Sequence, residues 1–222
     1  MRELPADRTG RFELTLPTAG ARAWLALQLS LLLVCVALVG CPAGGGGSTT
    51  IPDDGMLPDG PAVSFTPDNP SPGVGTISMA AGATDGAEFE VRILVTGIDD
   101  FFGAAFRVTF DPSIVDYDGF SSGGSFIEGA GIATDFRAEL DSGNPGVILV
   151  NATRQGQVAG VDAVDSQELL VLSFEASGPG VGALSFDRAA TRQVSVCPSP
   201  TGACTDLADS SLTWSGGTLV AN

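Results

Sequence analysis

Apolar and polar residues alternate with a period of two along much of the chain after residue 62. In residues 88–95 one alternating set is Phe89, Val91, Ile93 and Val95, and the other set includes two glutamates and an arginine. A β-strand sends successive side chains to opposite faces, so these four apolar side chains share one face. The pattern predicts a strand that is buried on one side and exposed to solvent on the other.

Residues 103–110 show the same alternation, with two sets of side chains that are expected to lie on opposite faces of a strand. The apolar set, expected to face inward, is Phe106, Val108 and Phe110. The small or polar set, expected to face outward, is Ala105, Arg107 and Thr109. The dipeptide Asp111-Pro112 follows and is expected to end this strand, because proline has no N–H to donate to a ladder.

Eight further apolar segments recur at short spacing between clusters of Gly, Pro, Asp and Asn, and together with these two they indicate about nine strands. The other segments are residues 63–65, 74–79, 114–120, 133–137, 147–153, 167–176, 182–187 and 212–220. Many short strands separated by turn residues are typical of a β-sandwich or jelly roll. We therefore predict an all-β domain over residues 62–222, a length that supports one hydrophobic core.

The charge of the chain excludes several classes of function. With 10 basic and 26 acidic residues the net charge is −16, and there is neither lysine nor histidine. Binding to a phosphate backbone depends on clustered Lys and Arg, so nucleic acid is not an expected partner. The lack of histidine excludes Ser-His-Asp and Cys-His catalysis, and the lack of lysine excludes Schiff-base chemistry. We predict that the protein is not an enzyme and needs no cofactor.

An apolar run, Ala23–Val39, is closed by the sequence Leu38-Val39-Gly40-Cys41. Leu at −3, a small residue at −1 and then Cys resembles the lipobox of bacterial lipoproteins, in which the cysteine is lipidated. The resemblance implies a signal peptide over residues 1–40 and a membrane anchor through the lipid on Cys41; the alternative is an uncleaved anchor. Residues 41–61, rich in Gly, Pro and Asp, are expected to form a flexible tether.

This leader implies an extracytoplasmic location in the cell envelope, at the outer membrane or the cell surface. The mature chain would carry six arginines against 23 acidic residues, a net charge of −17. Two cysteines other than the lipidation site remain in it, Cys197 and Cys204. In an exported chain such a pair is expected to form a disulfide.

Four segments, taken in order, resemble cohesin domains, the β-sandwich modules that bind dockerins. The segments are residues 102–115 (FGAAFRVTFDPSIV), 146–156 (GVILVNATRQG), 169–176 (LLVLSFEA) and 182–186 (GALSF). The resemblance implies a nine-stranded jelly-roll sandwich, related to some carbohydrate-binding modules. It also implies a dockerin-like protein partner, and dockerins fold around calcium.

In cohesins the dockerin docks on one sheet face that includes the strand before the Asp-Pro turn. The positions that the resemblance assigns to partner binding here are Gly103, Ala105, Arg107, Thr109, Val150, Thr153 and Gly156. The chain departs from the family at Gly103 and Ala105, where cohesins often have polar or acidic residues. The other interpretation of Ala105, Arg107 and Thr109 is an ordinary solvated strand face.

Acidic residues suggest two further kinds of site, neither of which is favoured. Asp99-Asp100 and Asp116-Tyr117-Asp118 could supply oxygen ligands to calcium, but neither has the spacing of a known calcium loop. Glu88 and Glu90 could form a carboxylate pair for glycoside hydrolysis, but they belong to an ordinary strand alternation with no sign of a cleft. We predict no metal site and no catalytic residue.

The remaining alternative is direct polysaccharide binding by the same sandwich. Sugar-binding platforms usually stack several aromatic rings, and the mature chain has one tryptophan, Trp214, and one tyrosine, Tyr117. The leading hypothesis is therefore a non-catalytic, lipid-anchored binding module. Its expected partner is a protein that acts on polysaccharide. Carbohydrate binding and a purely structural envelope role remain open.

Overall fold

The computed structural model of the protein describes residues 63–187 and 192–222, all within one unit, residues 54–222. The predicted leader, the lipidated Cys41 and the tether lie outside the described residues and stay predictions. Within the described ranges, no helix has the length and apolar character that crossing a bilayer requires.

These residues form fourteen strands and one short 3-10 turn, Asp209–Ser211. The strands are β1 (Val63–Pro67), β2 (Thr76–Asp85), β3 (Glu88–Thr96), β4 (Ile98–Thr109), β5 (Val115–Ser121), β6 (Thr134–Asp141), β7 (Asn144–Arg154), β8 (Val161–Ala163), β9 (Gln167–Ala176), β10 (Gly180–Phe186), β11 (Gln193–Val196), β12 (Thr205–Asp206), β13 (Thr213–Ser215) and β14 (Gly217–Ala221).

The strands belong to two sheets that pack as a sandwich. One sheet has nine strands in the order β1-β14-β10-β4-β11-β12, with β7 and β8 also paired to β4 and with β6 paired to β7. The other has five, in the order β13-β2-β3-β9-β5, and its β13–β2 pair is parallel. The predicted all-β sandwich is confirmed, with fourteen strands where the pattern indicated about nine.

The core lies between the sheets, and its members follow the alternation read from the sequence. Phe89, Val91, Ile93 and Val95 of β3 are all buried, as predicted. On β4 and just after it the inward set is buried and the outward set is half-buried, also as predicted. The ring of Phe174 on β9 contacts the rings of Phe89, Phe110 and Tyr117. These contacts join the aromatic residues of the core into one cluster.

The Tyr117 side chain connects the two sheets. Its hydroxyl, on β5, donates a hydrogen bond of 2.9 Å to the carbonyl of Ala138 on β6. Burial, and then the charge of Glu139, raises the pKa of Tyr117 from 10.0 to about 12. The phenol therefore stays protonated and keeps donating at any ordinary pH.

The disulfide predicted between Cys197 and Cys204 is present, and Cys197 is fully buried. It closes the connection from β11 to β12, so that the two strands pair antiparallel at Ser195 and Asp206. The covalent bond therefore fixes a small hairpin at one end of the nine-stranded sheet.

Candidate partner-binding face

The candidate site is the side of β6, β7, β4, β11 and β12 that faces away from the core, which we call the outer face. Antiparallel register sets its side chains in rows across the strands. One row is Asp135, Thr153, Gly103, Ser195 and Asp206. The next row is Arg137, Asn151, Ala105 and Gln193. A third row contains Glu139, Leu149 and Arg107.

Five of the seven partner-binding positions named from the sequence lie together on this face. They are Gly103, Ala105, Arg107 and Thr109 on β4, with Thr153 beside them on β7. Gly103 is buried despite facing outward, and Ala105, Arg107, Thr109 and Thr153 are half-buried. The predicted alternation of inward and outward side chains on β4 is therefore confirmed over the second half of the strand.

The expectation that Val150 faces outward is wrong, because its side chain faces the core. Val150 pairs with Phe106 and Ala138, two buried residues, and is itself 3% exposed. Val150 and Thr153 are three positions apart, an odd number, so an unbroken strand cannot present both on one face. The outward positions of β7 are Leu149, Asn151 and Thr153.

Gly156 lies beyond the end of β7 and outside the sheet. It is exposed and has a φ of +86°, a conformation that glycine adopts without strain. Its place after the strand makes it a turn residue, and the structure does not bring it into the rows of the outer face.

Small residues on β4 leave a depression of about 180 Å³ in the middle of the outer face. Gly103 and Ala105 form the floor; Asn151 and Thr153 line one side, and Gln193 and Ser195 line the other. A Cβ at Gly103 would lie 2.7 Å from the Thr153 hydroxyl and from the Ala152 carbonyl. Only glycine therefore fits at that point of the floor.

Two carboxylates hold the polar walls of the depression in place. The Asn151 amide nitrogen donates to Asp135 at 3.3 Å, and the Gln193 amide nitrogen donates to Asp206 at 2.8 Å. The Ser195 hydroxyl also donates to Asp206, at 2.6 Å. The hydrogen bonds from Gln193 and then Ser195 lower the pKa of Asp206, which is therefore ionised at neutral pH.

The third row adds an apolar and a cationic group. Leu149 is 38% exposed, although it is a large hydrophobic residue in the middle of a strand. The Arg107 guanidinium makes no hydrogen bond or ion pair with any described side chain, whereas that of Arg137 pairs with Asp135 at 3.3 Å. Exposed apolar side chains and arginines are the groups that protein interfaces favour.

The opposite sheet has a different outer surface, and it includes Glu88 and Glu90. The sequence showed no sign of a cleft there, and the structure has a shallow depression of about 160 Å³. Four carboxylates border it: Asp85, Glu88, Glu90 and Asp118. Glu90 accepts a hydrogen bond from the backbone N–H of Ala83. Among the described residues, no group of three or more potential ligands is arranged to hold a metal ion.

The two aromatic residues considered for sugar binding are used in packing. Trp214 contacts the rings of Phe106 and Phe186, and the guanidinium of Arg192 lies 5.0 Å from its ring centroid. Tyr117 packs on Phe174 and donates to the Ala138 carbonyl. Neither ring is presented as a flat platform.

Sequence reasoning missed Gln193, Ser195 and Asp206, which form one wall of the depression and its support. Residues 193–196 (QVSV) do alternate, but four residues beside a loop are too short to be recognised as a strand. Asn151 and Leu149 could have been found, since strict alternation from Thr153 selects them.

No protein-family model and no curated protein matches the chain. The solved structures to which it is similar are cohesin modules, the family that the sequence resembles. The sixth cohesin of scaffoldin B from Acetivibrio cellulolyticus, in complex with a mutant Cel5 dockerin, is 16% identical, with a TM-score of 0.43 over 64% of this chain and 94% of that chain. The seventh ScaB type I cohesin of Pseudobacteroides cellulosolvens is 15% identical, with a TM-score of 0.44 over 61% and 85%. A cohesin module from a family 33 glycoside hydrolase of Clostridium perfringens is 12% identical, with a TM-score of 0.42 over 72% and 95%.

Proposed function

We propose that this chain is a non-catalytic binding module that docks a dockerin-type protein on its outer face. The lipid on Cys41 would hold it to the membrane on the extracytoplasmic side, at the outer membrane or the cell surface. The docked protein would be one that acts on polysaccharide.

The observation that carries the proposal is the combination of groups on the outer face. A recessed floor at Gly103 and Ala105 lies between oriented amides, next to an exposed leucine and an arginine without a partner among the described residues. A helix or loop of another protein can fill such a recess, cover Leu149 and pair with Arg107. Interfaces of this kind combine an apolar or arginine anchor with a polar surround.

Extracytoplasmic location is supported by the disulfide between Cys197 and Cys204, because such bonds persist in oxidising compartments. The sequence at Cys41 supports lipidation. Protease digestion of intact cells, followed by mass spectrometry of the amino-terminal peptide of the mature chain, tests both. An unmodified cysteine, or protection from the protease in intact cells, would count against the anchor and the surface location respectively.

Docking is tested by measuring binding of the full chain to the dockerin-bearing proteins of the source organism, with and without a calcium chelator. Ala105→Arg places a long side chain in the depression and should weaken binding at least tenfold. The matched control is Ser173→Arg, which adds the same charge at a half-buried position on β9, in the opposite sheet.

Calcium-dependent binding that Ala105→Arg weakens and Ser173→Arg leaves unchanged would establish the function and its face. Equal effects of the two variants would refute the outer face as the interface. If no dockerin-bearing protein binds, the proposal fails, and the same preparations can be applied to polysaccharide arrays to test direct carbohydrate binding. Absence of binding in both assays would favour a structural envelope role.

A further inference from the structure

The hydrogen bonds around the depression of the outer face have a consistent direction. The amide nitrogens of Asn151 and Gln193 both donate to carboxylates, of Asp135 and Asp206. A carboxylate can only accept, so it fixes which end of each amide points toward it. The amide oxygens of Asn151 and Gln193 are left without a hydrogen-bond donor among the described residues.

The two hydroxyls that line the depression also use their protons locally. The Thr153 hydroxyl donates to the carbonyl of Arg154 at 3.0 Å, and the Ser195 hydroxyl donates to Asp206 at 2.6 Å. Each hydroxyl has one proton, so both oxygens are available only as acceptors. Thr153 leans over the floor, since its hydroxyl lies where a Cβ on Gly103 would collide.

The depression therefore offers four accepting oxygens against one spare N–H on each of the two amides. The carboxylates of Asp135 and Asp206 lie on the far sides of Asn151 and Gln193, at the two ends of the row that contains Thr153, Gly103 and Ser195. The chain as a whole has a net charge of −16. Neither Arg107, on the next row, nor Arg137, which pairs with Asp135 at 3.3 Å, lines the depression. The local chemistry favours a group that donates several hydrogen bonds and carries positive charge.

Lysine and arginine combine a permanent positive charge with groups that only donate: the ammonium has three N–H donors and the guanidinium has five. The two walls are two strand spacings apart, or about 10 Å between backbones, which leaves room for one such group between them. We propose that the depression between β7 and β11 receives a lysine or arginine side chain of the docked protein. This inference rests on the proposed function and adds the chemistry that its central contact recognises.

The first test uses the ¹⁵N-labelled full chain and three small probes: the N-acetyl methylamides of lysine, arginine and norleucine. We expect the two cationic probes to shift the backbone amides of Gly103 and Ala105 in a saturable way, and norleucine to leave them unchanged. The variant Gln193→Leu, which removes one acceptor, should weaken the effect at least threefold. Ser173→Ala, on the opposite sheet, is the matched control and should have no effect.

Equal shifts from norleucine would overturn the inference, because they would show that the depression recognises the shape of the side chain and not its positive charge. Cationic probes that shift only amides near Glu88 and Glu90 would overturn it as well, since that result reports general attraction to acidic residues.

The second test uses any protein that passes the docking assay above. Replacing each lysine and arginine of its contact region by alanine should reveal one position that costs at least tenfold in affinity. That loss should shrink to less than threefold in the Gln193→Leu background. If Ala105→Arg abolishes docking while no such position exists, the inference fails and the proposed function stands. If no protein docks but the cationic probes saturate, the proposed function fails and the cation preference stands.

Discussion

Replacing Val150 by aspartate tests the register of β7, on which the outer face depends. The Val150 side chain is 3% exposed and faces the core beside Phe106 and Ala138. Losing a buried valine costs about 1.5 to 3 kcal/mol. Leaving a carboxylate unpaired in the core adds several kcal/mol more, about 3 to 5 by comparison with broken buried ion pairs. The expected total of about 5 kcal/mol or more rivals the whole stability of an ordinary domain.

The matched control is the same change one residue along, Asn151→Asp. Asn151 is half-buried and faces outward, and the new carboxylate would be near Asp135, which now accepts from the amide. The lost hydrogen bond and the added like charge should cost about 1 kcal/mol. The assay is urea unfolding of the full chain and both variants, with the free energy of unfolding taken by linear extrapolation.

A one-residue shift of register would exchange the two faces of the strand. If Val150→Asp costs less than about 1 kcal/mol while Asn151→Asp costs several, that exchange is the true arrangement and the assignment of the outer face is wrong. If both substitutions are mild, β7 is not a central strand of the sheet. Val150→Asp is therefore a test of the fold and not, as its sequence position suggests, of the interface.

Three further predictions concern particular contacts. Gly103→Ala should cost about 1 to 3 kcal/mol in unfolding free energy, because its Cβ would lie 2.7 Å from the Thr153 hydroxyl; Gly143→Ala, with no atom nearer than 3.5 Å, should be close to neutral, and equal costs would contradict the packing. Cys204→Ser should lower stability by about 2 to 3 kcal/mol, and a reductant should do the same to the parent but not to the variant. Tyr117→Phe should cost about 1 kcal/mol through its lost hydrogen bond. The folded state keeps the Tyr117 proton up to a pKa of about 12, whereas the unfolded chain releases it near pH 10. The native state then binds more protons between these values, so the parent should lose stability as pH rises from about 10 to 12. Tyr117→Phe should lack this component of the loss, and identical pH profiles would refute the burial of the phenol.

Strict alternation made the central strands predictable. On β3 every second residue from Phe89 to Val95 is a large apolar side chain, so one parity alone satisfies the core. On β7 the sequence Val147-Ile-Leu-Val150 is apolar at both parities, which leaves the face undetermined without the neighbouring strand. The buried Ile148 and Val150 are distinguished from the exposed Leu149 only by pairing with β4 and β6.

The carboxyl-terminal strands show a second limit. Residues 212–220 read as one strand, but Gly216 separates β13 from β14, and these belong to different sheets. A Cβ at Gly216 would collide with the Leu184 carbonyl, so the chain crosses between sheets where no side chain fits. Long-range pairing decides where such a crossing occurs, and a local pattern does not contain that information. The two-residue strand β12 is similarly defined only by its partner, β11.

The pairing of β1 with β14 makes this sandwich suited to insertion into a host protein. Val63 lies opposite Ala221, so the two connections leave the domain about 5 Å apart. A surface loop of another protein could therefore accept residues 63–221 as a guest without its own ends being pulled apart. Because β1 is three strand positions away from β4 in the sheet, such a fusion would leave the depression at Gly103 and Ala105 uncovered. The same outer face could thus be moved between scaffolds with its strand order unchanged.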